Sequence, residues 1–426
     1  MPALITSGPN TGATRTFVML LLTLISGAVV PQTLFASCTS DLNCSLFGEC
    51  RADGSCACDA GWAGPACARM QLLPVSFPQG YGMDKPRQAD VNTSWGGNVI
   101  FSGGEFHMFV NAIANQCLLG SWMINSRIDH VVSSTAVGPY TFRDTAIGMT
   151  SSNPAPVVLR GGPYKYAIFH IYNGTTAQPV ANVPHCFKNG SRMPPHHGDN
   201  DVVRDAAALR GDWRDHQISV SDSLDGPWKL LQPAVGNKLP VCNNPAPWVH
   251  PNGTLYAMCG NVIYTADSIE GPWHNISTSI INHGNAGEWP TGWHHEDEFL
   301  FTTKRGWHVL FHASIRDDSP GAGHNCTASV VSAHMFSPDG FEWHVSPVSP
   351  YGTQVEVVDG GGATRTLTVA TRERPKLIFS VDGEMTHLIN GVCGAPYCND
   401  SKKTGCMDCK YKHWDFTLIQ PIQQQV

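Results

Sequence analysis

Five times the chain repeats one pattern: a short polar head, five or six residues that read as a strand, a turn that usually holds Gly, and a second strand rich in aromatics. The copies are SWGGNVIFSGGEFHMFV, SNPAPVVLRGGPYKYAIFHI, NNPAPWVHPNGTLYAMCGN, HHEDEFLFTTKRGWHVLFHAS and ERPKLIFSVDGEMTHLING. Alternating residues on either side of a turn predict a half-buried β-hairpin. A second signature recurs behind the hairpins, in VVSSTAVGPYTF, ISVSDSLDGPWKLL, IYTADSIEGPWHNI and the looser SAHMFSPDGFEWHV: a strand, a Gly-centred turn and an aromatic that opens the next strand. Together the signatures predict antiparallel units of four strands. In the fourth copy these run over Asp297 to Thr303, Trp307 to Ser314, Ser329 to Ser337 and Glu342 to Ser346.

The heads fall at Trp95, Asn153, Asn244, Asp297 and Arg374, separated by 58, 91, 53 and 77 residues, so the period is irregular while the order inside each unit is kept. A four-stranded sheet of this kind cannot cover both of its faces alone, and radial stacking around an axis covers them. The expected fold is therefore all-β: a five-bladed β-propeller over residues 70–426, including a cysteine-rich C-terminal segment. Gly 42 and Pro 30 in 426 residues favour turns over long helices in the same way. The net charge of -7, with Lys plus Arg at only 27, gives no basic footprint, so no nucleic-acid partner is expected.

Ahead of the repeats, Phe17 to Val30 (FVMLLLTLISGAVV) follows Arg15 and predicts a signal peptide over residues 1–36, cleaved after Ala36. Extended to Ala36 the run reaches about 20 residues, so an uncleaved single-pass anchor is the alternative; only then would the protein meet a membrane. Pro31 and Gln32 weaken such a helix. Asn-x-Ser/Thr triplets at Asn92, Asn173, Asn189, Asn252, Asn275 and Asn399, with Asn-Cys-Ser/Thr variants at Asn43 and Asn325, fit a glycoprotein of the secretory route. Secretion, or retention in the lumen of that route, is the expected location.

Cys38, Cys44, Cys50, Cys56, Cys58 and Cys67 crowd into residues 37–69. A small segment with little apolar content needs such staples to fold in an oxidising compartment, and a zinc site fits poorly with secretion. The ending CACDAGWAGPAC, with Cys56, Cys58, Gly61, Trp62 and Cys67, resembles the EGF-like module. That resemblance implies pairing of Cys38 with Cys50, Cys44 with Cys56, and Cys58 with Cys67, and a spacer or protein-contact role. The acidic motif of calcium-binding members is missing before Cys38, so no calcium is expected there. Nine of the 15 cysteines remain, so at least one is free or pairs with another molecule. Cys393, Cys398, Cys406 and Cys409 have the outline of a zinc knuckle, but disulfides are the expected use. Trp414 to Ile422 (WDFTLIQPI) reads as a closing strand, pairing in the fifth unit or beside Gln71 to Phe77.

The polar head, the Gly turn with its aromatic strand and the Ser-x-x-x-Gly-Pro-Trp turn together resemble the five-bladed glycoside hydrolases of family 43, the arabinanase and xylosidase group, over most of residues 80 to 390. The resemblance implies a carbohydrate substrate or ligand at a central channel. It also implies an inverting pair: an acid that protonates the leaving oxygen and a carboxylate that activates water. Carried over, Glu296 is the acid, since it stands two places before the position at which other heads carry Pro, and Asp297 tunes its pKa. The tuning position on a middle blade is Asn244, without charge. The first-blade position falls at Trp95 or Gly96, neither of which can be a base, so Asp90 is the stand-in and Asp84 the alternative. Trp95, Asn153, Asn244, Glu373 and Arg374 are the expected substrate contacts. A structural reading stands beside this one: Glu296 and Asp297 could cap strands or pair with Arg374, the heads satisfying each other.

No cofactor and no metal are expected. His196-His197 and His294-His295 are adjacent pairs, and neighbours on a strand point to opposite faces. Trp228 and Trp273 are expected to pack. The insertion from Asn173 to His216, with a short helix over Asp199 to Arg210, is a lid or binding loop by its length, or a decoration. Two function classes follow: a glycosidase, and a glycan-binding or adhesive protein that has lost the chemistry. A glycosyltransferase ranks behind both because no nucleotide-binding pattern is present.

Overall fold

A computed structural model of the chain describes residues 37–83, 93–115, 117, 119, 122–171, 187–188, 191–192, 216–234, 236–277, 293–315, 332–369, 371–393 and 415–424. The leader, Asp84, Asp90, nearly all of the insertion, His196-His197, Cys398, Cys406, Cys409 and the triplets at Asn92, Asn173, Asn189, Asn325 and Asn399 lie outside them.

Among the described residues the chain is all-β apart from single turns at Asp41–Cys44 and Trp122–Asn125; no helix is long and apolar enough to cross a membrane. Four sheets have four antiparallel strands each, in sequence order. The first is Thr93–Ser102, Glu105–Ile113, Ser126–Ser133 and Thr141–Ile147, and the second is Ser152–Val158, Tyr166–Ile171, His216–Ser221 and Lys229–Leu230. The third is Ala246–Val249, Leu255–Cys259, Val262–Ala266 and His274–Asn275, and the fourth is Trp293–Thr303, Gly306–Ile315, Ser332–Ser337 and His344–Val345. The first strand of each sheet touches the first strand of the next, and that of a fifth sheet touches both the fourth and the first, so the contacts close on themselves.

The fifth sheet departs from the repeat. It has three strands, Thr371–Phe379, Met385–Cys393 and Asp415–Pro421, because the cysteine-rich run follows where the Gly-Pro-Trp signature would stand. Its last strand is the expected closing one, and both expected pairings occur. It runs antiparallel to Met385–Cys393, and Ile422 beside it bridges to Leu72. Thr417 also exchanges backbone hydrogen bonds with Tyr81, tying the two ends of the repeat region together. A hairpin, Gln354–Val358 with Thr364–Thr368, pairs in parallel with Val75–Ser76 and was not anticipated.

The aromatic of each Gly turn keys its sheet to the one before. Trp228 of sheet two meets Phe109 of sheet one edge-on at 5.2 Å, and Trp273 of sheet three meets Phe169 of sheet two at 6.1 Å. Trp343 of sheet four sits with Met258 and Ile263 of sheet three, and Tyr140 of sheet one with Ile378, Ile389 and Ile419 of sheet five. Trp228 and Trp273 thus pack, as large amphipathic rings at a sheet boundary should. Among the described residues sheet five has no such turn to offer sheet four.

The cysteine-rich segment fills that gap. Its bridges join Cys38 to Cys50, Cys44 to Cys56 and Cys58 to Cys67, and they hold up Phe47 and Trp62, stacked 3.7 Å apart and both buried. These rings enter the cluster that joins Phe299, Phe301 and Leu310 of sheet four to Leu377 and Leu388 of sheet five. Arg305, in the turn of the fourth hairpin, binds Asp41 at 2.9 Å and Asp59 at 3.0 Å across the same contact. Asp41 and Asp59 are partly exposed, so Arg305→Ala should cost only about 1 kcal/mol of unfolding free energy, and less in high salt. Chemical denaturation at two ionic strengths measures this.

Candidate binding ring

Each first strand opens with a residue in the left-handed region: Gly96 (φ 66°), Asn153 (57°), Asn244 (49°), Asp297 (62°) and Arg374 (54°). Gly, Asn and Asp tolerate this conformation best, which is why four of the five heads are of those types. The pairing register shifts at the same place, between Ser94 and Gly97, Ser152 and Ala155, Glu296 and Phe299, and Glu373 and Lys376. Such an extra residue re-aims a side chain. The first head is therefore Gly96, not Trp95; Trp95 is buried against Gly391, where an added Cβ would come within 2.8 Å of its ring.

The heads meet and bind one another. Asn153 Nδ2 donates to Asn244 Oδ1, Asn244 Nδ2 donates to Asp297 Oδ1 at 2.9 Å, and Arg374 Nε lies 3.5 Å from the same carboxylate. Arg374 Nη1 then donates to the Trp95 carbonyl at 3.3 Å. A Cβ at Gly96 would lie 3.1 Å from the Arg374 side chain. Arg374 thus takes the space that a first-sheet head side chain would use. What stays open among the heads is about 20 Å³, room for one water and not for a sugar ring.

Burial pushes the Asp297 carboxyl above the usual carboxylate range; Arg374 pulls it back and Glu373 pushes it further up. Lys376 is half-buried two residues after Arg374, and burial pushes its ammonium down to about 8 against the pull of Asp297. It donates to the Glu298 carbonyl at 3.2 Å. The Glu298 carboxylate lies 2.8 Å from His295 Nδ1, whose other ring nitrogen is 3.3 Å from Asn261 Nδ2. Lys376 and Glu298 line the ring and were not anticipated; strand alternation from the heads was the signal available for Lys376.

Of the expected site residues, the ring unites Asn153, Asn244, Asp297 and Arg374 through their side chains and Trp95 through its backbone. Glu373 is buried. Glu296 is exposed, with a carboxylate oxygen, one of Asp297 and a nitrogen of His312 all within 4.8 Å of one another. Chemically, the ring offers a buried carboxylate engaged by an amide and a guanidinium, with the exposed carboxylate of Glu296 beside it.

No protein-family model matches the chain, and no curated protein matches it. Solved structures similar in chain course include glycoside hydrolases. A thermostable family-43 enzyme has 10% identity and a TM-score of 0.43, covering 83% of this chain and 91% of that one. A family 117 enzyme of the marine bacterium Zobellia galactanivorans has 15% identity and a TM-score of 0.44, covering 84% and 90%. The catalytic domain of the Coprinopsis cinerea GH62 α-L-arabinofuranosidase has 11% identity and a TM-score of 0.45, covering 83% and 98%.

Proposed function

We propose that residues 70–426 form a five-bladed propeller that binds glycan outside the cell or in the secretory lumen without hydrolysing it, its central ring serving as a structural tie. The observation that carries this reading is the chain of contacts Asn153–Asn244–Asp297–Arg374–Trp95. Inverting hydrolysis needs two carboxylates about 6.5–9.5 Å apart with a water and a sugar between them. Here the buried carboxylate is tied to two partners, the first head is a glycine, and the middle head is an amide. The choice of glycan rests on the resemblance of the repeat to family 43. Residues 37–69 serve as an EGF-like wedge in this reading, with protein contact left to the face that points away from sheets four and five.

A second reading, hydrolysis, is favoured by one observation: Glu296 remains exposed beside Asp297 and His312. In it Glu296 is the acid, Asp297 tunes it, and Asp90 is the base. The two separate in one experiment on the purified chain with arabinan, xylan, galactan and algal polysaccharides. Retardation in affinity gels with no release of reducing ends is the expected result. Release that disappears in Glu296→Gln, with the fold intact, would overturn it in favour of the enzyme.

A further inference from the structure

A cleft of about 1,090 Å³ lies away from the ring and shares no lining residue with it. Its walls come from the start of the third strand of sheet four, the stretch 345–352 that follows sheet four, and Arg372 and Gln420 of sheet five. Arg372 is fully buried. Its Nε donates to Asn390 Oδ1 at 2.8 Å, one terminal nitrogen to Gln420 Oε1 at 2.8 Å, and the other to the Gly352 carbonyl at 3.3 Å. Its guanidinium carbon lies 4.7 Å over the Tyr351 ring. Three of its five N–H groups are thus matched, all to neutral oxygens, and among the described residues no carboxylate forms an ion pair with it. Burial pushes it down to about 10, so it stays charged at neutral pH.

A buried cation with no counter-ion is costly unless something anionic completes it. The wall around it is pre-organised. Ser332 Oγ donates to the Tyr351 carbonyl at 2.7 Å and accepts the Tyr351 N–H at 3.2 Å, Asn390 donates to the Tyr351 hydroxyl at 3.2 Å, and Gln420 donates to the Leu73 carbonyl at 2.9 Å. The rest of the lining mixes hydroxyls, amides and apolar faces and adds one more cation, Arg69, and one acid, Glu356. That balance suits a ligand with a single acid among many hydroxyls better than a phosphate-dense one, and a planar guanidinium suits a planar carboxylate. The volume exceeds that of one sugar and matches small-ligand sites at the upper end.

We propose that this cleft binds a short oligosaccharide bearing a carboxylate, whose acid group meets the Arg372 guanidinium. The proposal rests on the glycan-binding reading but uses no ring residue and a small defined ligand, so failure of polysaccharide retardation in gels and failure here are separate results. Gly352 supplies the sharpest probe. It lines the cleft, its φ is not left-handed, and an added Cβ would meet nothing within 4 Å, so Gly352→Leu fills the space before Arg372 and leaves the fold alone.

Calorimetric titration of the full chain with an aldotriouronic acid, a trisaccharide of one glucuronate and two neutral sugars, should give saturable binding, with none for its methyl ester. Gly352→Leu should weaken the binding at least tenfold with an unchanged unfolding midpoint, and Arg372→Met should abolish it. Absence of binding by the parent chain, equal binding of the ester, or unchanged binding by Gly352→Leu would each overturn the proposal. So would polyglutamate binding as tightly as the trisaccharide, which would assign the cleft to an acidic peptide.

Discussion

Below pH 6.5 the folded protein should lose stability along a slope that approaches two protons, about 2.7 kcal/mol per pH unit, from one pair of side chains. The pair is His308 and His334, on the second and third strands of sheet four. Both are fully buried, and His308 Nδ1 lies 3.0 Å from His334 Nε2. Burial pushes His334 down to about 3 and His308 well below its ordinary value, the latter helped by repulsion from His334. Unfolded, each takes up a proton as the pH falls through about 6.5; folded, His334 does so only near 3, and His308 only well below its ordinary range. The unfolded state therefore binds more protons in the window from about 6.5 to 3, and stability, complete above it, falls as the pH falls. His387, pushed by burial to about 4, adds in the same direction. Urea midpoints at pH 7.5, 6 and 5 measure the slope. His334→Phe, which keeps a ring between Phe47 and Phe336, should halve the pair's share; the same slope in that variant would remove the pair as the cause.

Local periodicity is what made the sheets legible. The hairpins need only alternation and a turn, and in the fourth unit the predicted strands fall within a few residues of those found. The heads were visible as polar residues before apolar runs. Their pairing with one another, Asp297 with Arg374 included, was one of the two readings; the link to the first sheet was not, because the register shift at each head depends on a neighbouring strand, and Arg374 reaches the first sheet where Gly96 has no side chain. One residue of displacement turned Trp95 from an expected contact into core. The Arg372 network was hidden for another reason: Gly352, Asn390 and Gln420 are far apart in sequence, and their spacing carries no local period. The hairpin at 354–368 has a clear alternation but lies between copies of the repeat, where the repeat gave no reason to seek strands.

The role of the cysteine-rich segment was the least legible part, and Phe47 tests it most directly. Phe47→Ala should lower the unfolding free energy by about 3–5 kcal/mol, the range for deleting a buried aromatic ring. Phe47 is 1% exposed. Besides Trp62 it stacks on His308 at 4.1 Å and on His334 at 4.8 Å, so the residue that would be lost covers the same neutral histidines that set the acid slope. A spacer tethered to the propeller would give a different result: truncation would soften residues 37–69 and leave the main transition in place. A wedge in the position where other sheets carry Tyr140, Trp228, Trp273 or Trp343 must instead move the main transition, because sheets four and five lose the ring that fills their boundary. Water admitted to the gap should also let the histidine pair protonate more readily when folded, so the acid slope of Phe47→Ala should be shallower even as its stability at pH 7.5 is lower. Denaturation of the full chain at pH 7.5, 6 and 5 reads both effects, and an unshifted main transition would return the segment to the role of a spacer.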